Sequence, residues 1–261
     1  MNRLLRIEIR KLKNSASFWV LSGLYALMFV FAVYTIQDFT FDFNFNGNTI
    51  NGGVRQFMVF PSVWQNMAWL ASFFRILLAI IVITSIGNEY MFRTFRQGII
   101  NGMSRTEFVL GKVLAILLFS LSAMVLIFVV GASIGLANSS SASRFFDHFE
   151  YIPAIGLATL GYLLFAAVLV FFLKKSALSI ALLLAYSYVI EPLLAWRLDG
   201  IGRYLPLKVF DRLNTFPYKD SVPGMNWEAP LVYPEDVAVS VVWIGLFVLV
   251  LLACTRKMEI R

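Results

Sequence analysis

VLGKVLAILLFSLSAMVLIFVVGASIGLA, Val109 to Ala137, carries a single charge, Lys112, near its start. A helix of about 20 consecutive apolar residues crosses a hydrocarbon layer of about 30 Å. This run exceeds that length without the in-and-out alternation, over units of about ten residues, that marks the strands of a membrane β-barrel. Five comparable runs surround it, at approximately 17–37, 66–88, 151–173, 176–196 and 237–255. The fold class is therefore all-α, a polytopic membrane protein with six transmembrane helices in a single transmembrane domain over 1–261. Composition agrees: 59% of the chain is hydrophobic, above the roughly 45–50% of soluble domains.

The first run starts only after Lys13 and has no small-residue cleavage site, so it reads as a retained span rather than a signal peptide. Cys254 is the only cysteine and can form neither an internal disulfide nor a thiolate cluster.

Six spans put both termini on one side, and Lys and Arg indicate which. The 1–16 arm, the connection after the second span, Lys174 and Lys175, and the C-terminal tail hold fourteen of the 22 basic residues, with only Glu8, Glu89, Glu107 and Glu259 as acids. The remainder of the chain holds eight basic residues against eleven acids. Both termini are expected to be cytoplasmic. The formal charge of +7 then reflects orientation and attraction to the lipid bilayer, with no need to invoke nucleic acid.

As a helix, the arm places Arg3, Arg6, Arg10 and Lys13 on one stripe and Leu5, Ile9 and Leu12 opposite, the pattern of an amphipathic interfacial helix. Residues 38–63 alternate Phe39, Phe41, Phe43 and Phe45 with polar residues before Asn46-Gly47, which predicts a short external β-like segment entering a tight turn. Its Phe face is expected to pack on the bundle or the lipid interface. Residues 197–236 contain Pro206, Pro217, Pro223, Pro230 and Pro234. The stretch IGRYLPLKVFDRL within it predicts an external or re-entrant helical segment before the last span.

Arg75 and Glu191 fall inside spans, where charges are costly and are paired or hydrated. Both lie toward the outer ends, so the spacing allows either an Arg75–Glu191 pair or two side chains reaching the interface separately. Gly131 to Gly135, GASIG, matches both Gly-x-Ser-x-Gly and Gly-x-x-x-Gly. The first needs a strand-to-helix elbow and a histidine base, yet the stretch lies within a span and the only histidine, His148, lies in a loop. Close helix packing is the expected role. Asn138-Ser-Ser has the form of a glycosylation sequon, which a serine-rich loop produces by chance. No Walker A loop or metal-spaced cluster is present, so catalytic and metal-ligating residues are expected to be absent.

The connection EYMFRTFRQGIINGMSRTEFVLGK, Glu89 to Lys112, is different in kind. On a helix, Phe92, Phe95 and Ile99 share a face with Met91 at its edge, while Arg93, Arg96 and Gln97 lie on the other. Such a helix rests on lipid or docks on a soluble partner. Glu89 ending a span, Thr94 closely followed by Arg96, Ser104-Arg105, and Gly111-Lys112 opening the next span together resemble the permeases of type-2 ABC exporters. FPSVWQN, Phe60 to Asn66, is similar to bacterial members. Arg93 stands where many members have Gly before the Thr, and Met103 where they have Pro before the Ser-Arg.

The resemblance implies a permease subunit of an ATP-driven exporter in the cytoplasmic (inner) membrane. It would pair with a second copy or a related permease and with two cytoplasmic ABC ATPase subunits, which hold the ATP and Mg while this chain carries no cofactor. Residues 89–106 would be the coupling segment, with Glu89, Phe92, Arg93, Thr94, Phe95, Arg96, Gln97, Ile99, Ser104 and Arg105 forming the contact. In that arrangement Glu89 caps the coupling helix or pairs with Arg93. The alternative reading is a membrane-embedded interaction or sensor subunit that docks a non-ATPase partner. No residue pattern selects a substrate.

Overall fold

Polar caps set where several spans begin. Ser15 Oγ accepts the Phe18 N–H ahead of the first span. Ser104 and Glu107 form a reciprocal capping box ahead of the third, with Ser104 Oγ accepting from the Glu107 N–H at 3.1 Å and Glu107 Oε2 from the Ser104 N–H at 2.8 Å. Two donors that a helix start otherwise leaves open are thereby satisfied. Gly102, at φ +88°, turns the chain into this cap through a region closed to most side chains. Met103 therefore leads into a regular helix start without a proline.

The computed structural model describes residues 2–45, 48–92, 94, 97, 100, 102–141, 143–215 and 232–256. The arm is α1 (Asn2–Lys13), followed by the first span, α2 (Ala16–Gln37). Strands β1 (Thr40–Phe45) and β2 (Asn48–Gly53) pair antiparallel in a register from Thr40 opposite Gly53 to Phe45 opposite Asn48. The register leaves two positions for the connection. Asn46-Gly47 and the side chains of Phe41, Phe43 and Phe45 lie outside the described residues. The second and third spans are α3 (Val63–Met91) and α4 (Arg105–Asn138), followed by α5 (Tyr151–Leu173). The fifth is α6 (Ser176–Arg197), in which Tyr186–Ile190 form a wide π-type turn. A short α7 (Pro206–Arg212) precedes the last span, α8 (Pro234–Arg256). Among the described residues, six helices are long and apolar enough to cross a membrane, and the protein is a multi-pass membrane protein. Beside the helices, the described residues include only this one hairpin.

The spans run alternately between an arm end, where α1 lies, and a hairpin end. α5 is the central helix, packed against α3, α4, α6 and α8, and is buried along most of its length, whereas α2, α6 and α8 expose most of theirs. Small residues allow this. Gly156 receives Met124 beside it, and the Ser120 hydroxyl donates to the Gly156 carbonyl at 2.5 Å. Gly161 lies under the ring of Phe210, which would collide with any Cβ there. Between spans, packing of this kind substitutes for the hydrophobic effect, which lipid tails do not supply.

That contact locates α7. Phe210 belongs to α7, and Gly161 lies ten residues into α5, about 15 Å from its hairpin end at 1.5 Å per residue. Leu207, Val209, Phe210 and Leu213 are all buried. The segment is thus re-entrant, descending from the hairpin end and covered by α5 and α8. Pro217, Pro223 and Pro230 lie outside the described residues.

GASIG is a packing surface. Ser133 Oγ donates to the Val130 carbonyl within its own helix, and Cβ atoms at Gly131 and Gly135 would meet Trp64 and Phe60. Phe60 N–H donates to Ser139 Oγ at 2.9 Å and Trp64 Nε1 to the Phe145 carbonyl at 2.7 Å, so the stretch from Phe60 seals the hairpin end of α4. His148 faces Glu150 in an exposed turn, away from Ser133. The Asn138 amide nitrogen is buried and not presented for glycosylation.

Candidate functional site

At the arm end, four charged side chains from three elements meet. Lys112, about two turns into α4, donates to Glu8 Oε2 at 2.6 Å and to Glu89 Oε1 at 2.7 Å. Lys11 donates to the same Glu89 oxygen at 2.9 Å and to Glu8 Oε1 at 3.4 Å. Lys112, Glu8 and Glu89 are buried, with Lys112 only 3% exposed, while Lys11 remains partly open. Two carboxylates and two ammonium groups balance, and burial weakens water's competition for the pairs. The cluster ties the arm to the last turn of α3 and the first turns of α4.

Gly111 lies against the arm, where a Cβ would stand in ordinary contact 3.5 Å from Glu8 Cγ, so of the Gly-Lys pair it is the lysine that binds the arm, as its charge partner. The arm's amphipathicity is also more specific than a basic stripe over an apolar one. Arg6, Arg10 and Lys13 are exposed, but the face toward the bundle carries Glu8 together with Ile9 and Leu12, which line a 160 Å³ gap against α4. The side chains of Arg3 and Leu5 lie outside the described residues.

Burial lowers the pKa of the Lys11 ammonium, but the charges and hydrogen bonds of Glu89 and Glu8 outweigh it, and the pKa lies above the ordinary 10.5.

The Glu89 carboxylate is engaged by Lys11 and Lys112, while its expected pair with Arg93 falls on a residue outside the described ones. Its backbone carbonyl does serve the next segment, accepting from Thr94 Oγ1 at 3.5 Å. At and beyond the end of α3, Met91, Phe92 and Ile100 are exposed large apolar residues, and Thr94, Gln97 and Ile100 are helical and exposed. Arg93, Phe95, Arg96 and Ile99 lie outside the described residues. Ser104 is the N-cap of α4, with Arg105 beginning that helix.

Of the two arrangements the spacing allowed, the intramembrane charges do not pair with each other. Arg75 forms its ion pair with Asp211 of α7 and lies over the Tyr162 ring at 4.8 Å. Glu191 Oε1 accepts the backbone N–H groups of Leu207 and Lys208 at 2.7 and 2.9 Å. A carboxylate at the start of α7 satisfies donors that the helix leaves open, with Pro206 occupying a position that needs none. Both charges are thus held by a segment distant in sequence. Arg75 is twelve residues into α3, about 18 Å from Val63, nearer the middle of the helix than its end. Glu8, Lys11 and Asp211 were missed by sequence reading. The available signals were an acid alone in a basic arm and an acid inside an apolar, helical stretch.

A six-span helical bundle with an amphipathic arm and a re-entrant segment before its last span defines a polytopic, all-helical membrane protein. Residues 4–190, more than two thirds of the chain, match the family model described as ABC-2 family transporter protein, and the chain belongs to that family. No curated protein matches the chain. Members of the family are the membrane components of ABC transporters, work with ABC ATPase subunits and are not themselves the ATPase.

Proposed function

We propose that the chain is the permease subunit of an ATP-driven exporter, with the arm end in the cytoplasm of a cell bounded by this membrane and residues 89–106 as the coupling segment. Two ATPase subunits, holding ATP and Mg, dock there, and a second permease copy or a related chain completes the path at a dimer interface. The observation that carries the reading is the Glu8–Lys11–Glu89–Lys112 cluster. It joins the arm, the end of α3 and the start of α4 into one unit directly beside the segment 89–106, so a push on that segment moves two spans and the arm together. A buried ion cluster holds only when every partner stays in place, which makes this junction stiff. Met91, Phe92 and Ile100 supply apolar surface for a docked partner, and the basic residues at this end match the orientation expected for a cytoplasmic face.

Co-expression with the partner ATPase tests the reading. The intact chain is expected to retain the ATPase on purification, and Phe92→Asp combined with Arg96→Glu to lose at least tenfold of it. An ATPase held equally well by the variant would overturn the coupling role.

A further inference from the structure

Between the middle of α3, α5, the wide turn of α6 and α7 lies a cavity of about 440 Å³, within the roughly 300–1,000 Å³ typical of small-molecule sites. Its wall has two characters. Trp69, Phe73 and Tyr188 give it an aromatic side, while Arg75, Ser187 and Lys208 give it a polar one. Phe73 and Tyr188 are 53% and 63% exposed and stand at its rim. The wide turn brings Ser187 and Tyr188 into the wall; such turns interrupt helices frequently at functional sites.

The cations in the wall differ in how they are held, and the Glu191 carboxylate behind Lys208 attracts it without a direct ion pair. Arg75 is matched by Asp211 and Arg212 by Asp236, whereas the Lys208 side chain has no ion partner among the described residues. Arg75, 8% exposed, also has Nη1 without a hydrogen-bond partner, leaving donor capacity beyond its pair with Asp211. A cation at membrane depth is costly unless it meets an anion or water. Asp211, the one carboxylate in the wall, is already held by Arg75. The family match covers α3 and α5 but ends at residue 190, ahead of α7, which contributes Lys208 and Asp211.

We propose that this cavity binds an amphiphile carrying a single anionic group, with the anion at Lys208 and Arg75 and the apolar part against Trp69, Phe73 and Tyr188. The Lys208 ammonium and the open Arg75 Nη1 offer donors for one anionic group, while the carboxylates of Asp211 and Glu191 beside them oppose the further charges of a polyanion. The aromatic rim suits an acyl or ring system arriving from the bilayer. That the bound molecule is the transported one rests on the permease reading above.

The test uses the full-length protein in phosphatidylcholine nanodiscs without ATPase. A brominated fatty acid is the probe, its methyl ester the neutral control, and tryptophan quenching the readout. The acid is expected to quench saturably and the ester not, with the saturable part removed by Trp69→Phe. Losing a charge-assisted hydrogen bond, about 1.5–3 kcal/mol, predicts at least a tenfold weaker affinity in Lys208→Gln and a retained one in Lys208→Arg. Equal quenching by acid and ester, an unchanged affinity in Lys208→Gln, or displacement by equimolar inorganic phosphate, the mark of a plain anion site, would each overturn the proposal. No ATPase is present, so a failed binding curve leaves the co-purification result intact, and a failed co-purification leaves the binding curve standing.

Discussion

Lys112 is the buried ammonium of the cluster and makes its two shortest ion pairs, to Glu8 and Glu89, so its removal leaves those carboxylates facing each other with only the half-open Lys11. Breaking a buried pair on one side costs on the order of 3–5 kcal/mol. Lys112→Met is therefore expected to lower the unfolding midpoint of the purified protein sharply and Lys112→Arg to retain most of it, as thermal unfolding in detergent would measure. Gly161 makes the opposite kind of demand. A side chain there must displace Phe210, and overpacking costs about 1–3 kcal/mol. Gly161→Ala should destabilise, and Phe210→Leu in the same chain should recover part of the loss; a double variant no better than the single would contradict the contact. Neither partner was legible from sequence. Lys112 was visible as half of a Gly-Lys motif, but only folding brings an arm residue 104 positions away into its reach.

At the scale of the element, α1 and α7 are short helices held in place by carboxylates. The raised pKa of Lys11 fixes the sign of a pH effect. A lysine whose folded value exceeds its unfolded one contributes fully below the unfolded value and loses that contribution as pH rises through the folded value. Docking of the arm is thus expected to be constant from neutral pH to about 10.5 and to loosen above it, followed by hydrogen exchange of the α1 amides; Lys11→Gln should remove the alkaline step. For α7, Glu191 supplies the acceptor for two backbone donors. Leaving buried donors unmet costs about 1–3 kcal/mol, so Glu191→Leu should make the segment after Leu205 more susceptible to protease, while Glu191→Gln, which keeps a carbonyl acceptor, should do so far less. The helical, amphipathic character of this segment could be read from its residues. Its descent to mid-bundle could not, because that depends on the gap above Gly161 and on a charge waiting on α3.

For the whole molecule, orientation is the property that charge distribution predicts most directly. In a Cys254→Ser background, Asn14→Cys is expected to react with an impermeant thiol reagent only from the cytoplasmic side and Ser141→Cys only from the other; the reverse pattern would invert the proposed coupling face. The number and approximate extent of the spans, their all-α character and the family were determined by the sequence itself. Apolar length is a local quantity, and in lipid a backbone with no water to bond must form helices. Tertiary structure alone decided which helix is central and which charges pair. Arg75 went to Asp211, Glu191 to the start of α7, and Glu89 to the arm, because an ion pair depends on distance in space, and packing of small residues along α5 sets those distances.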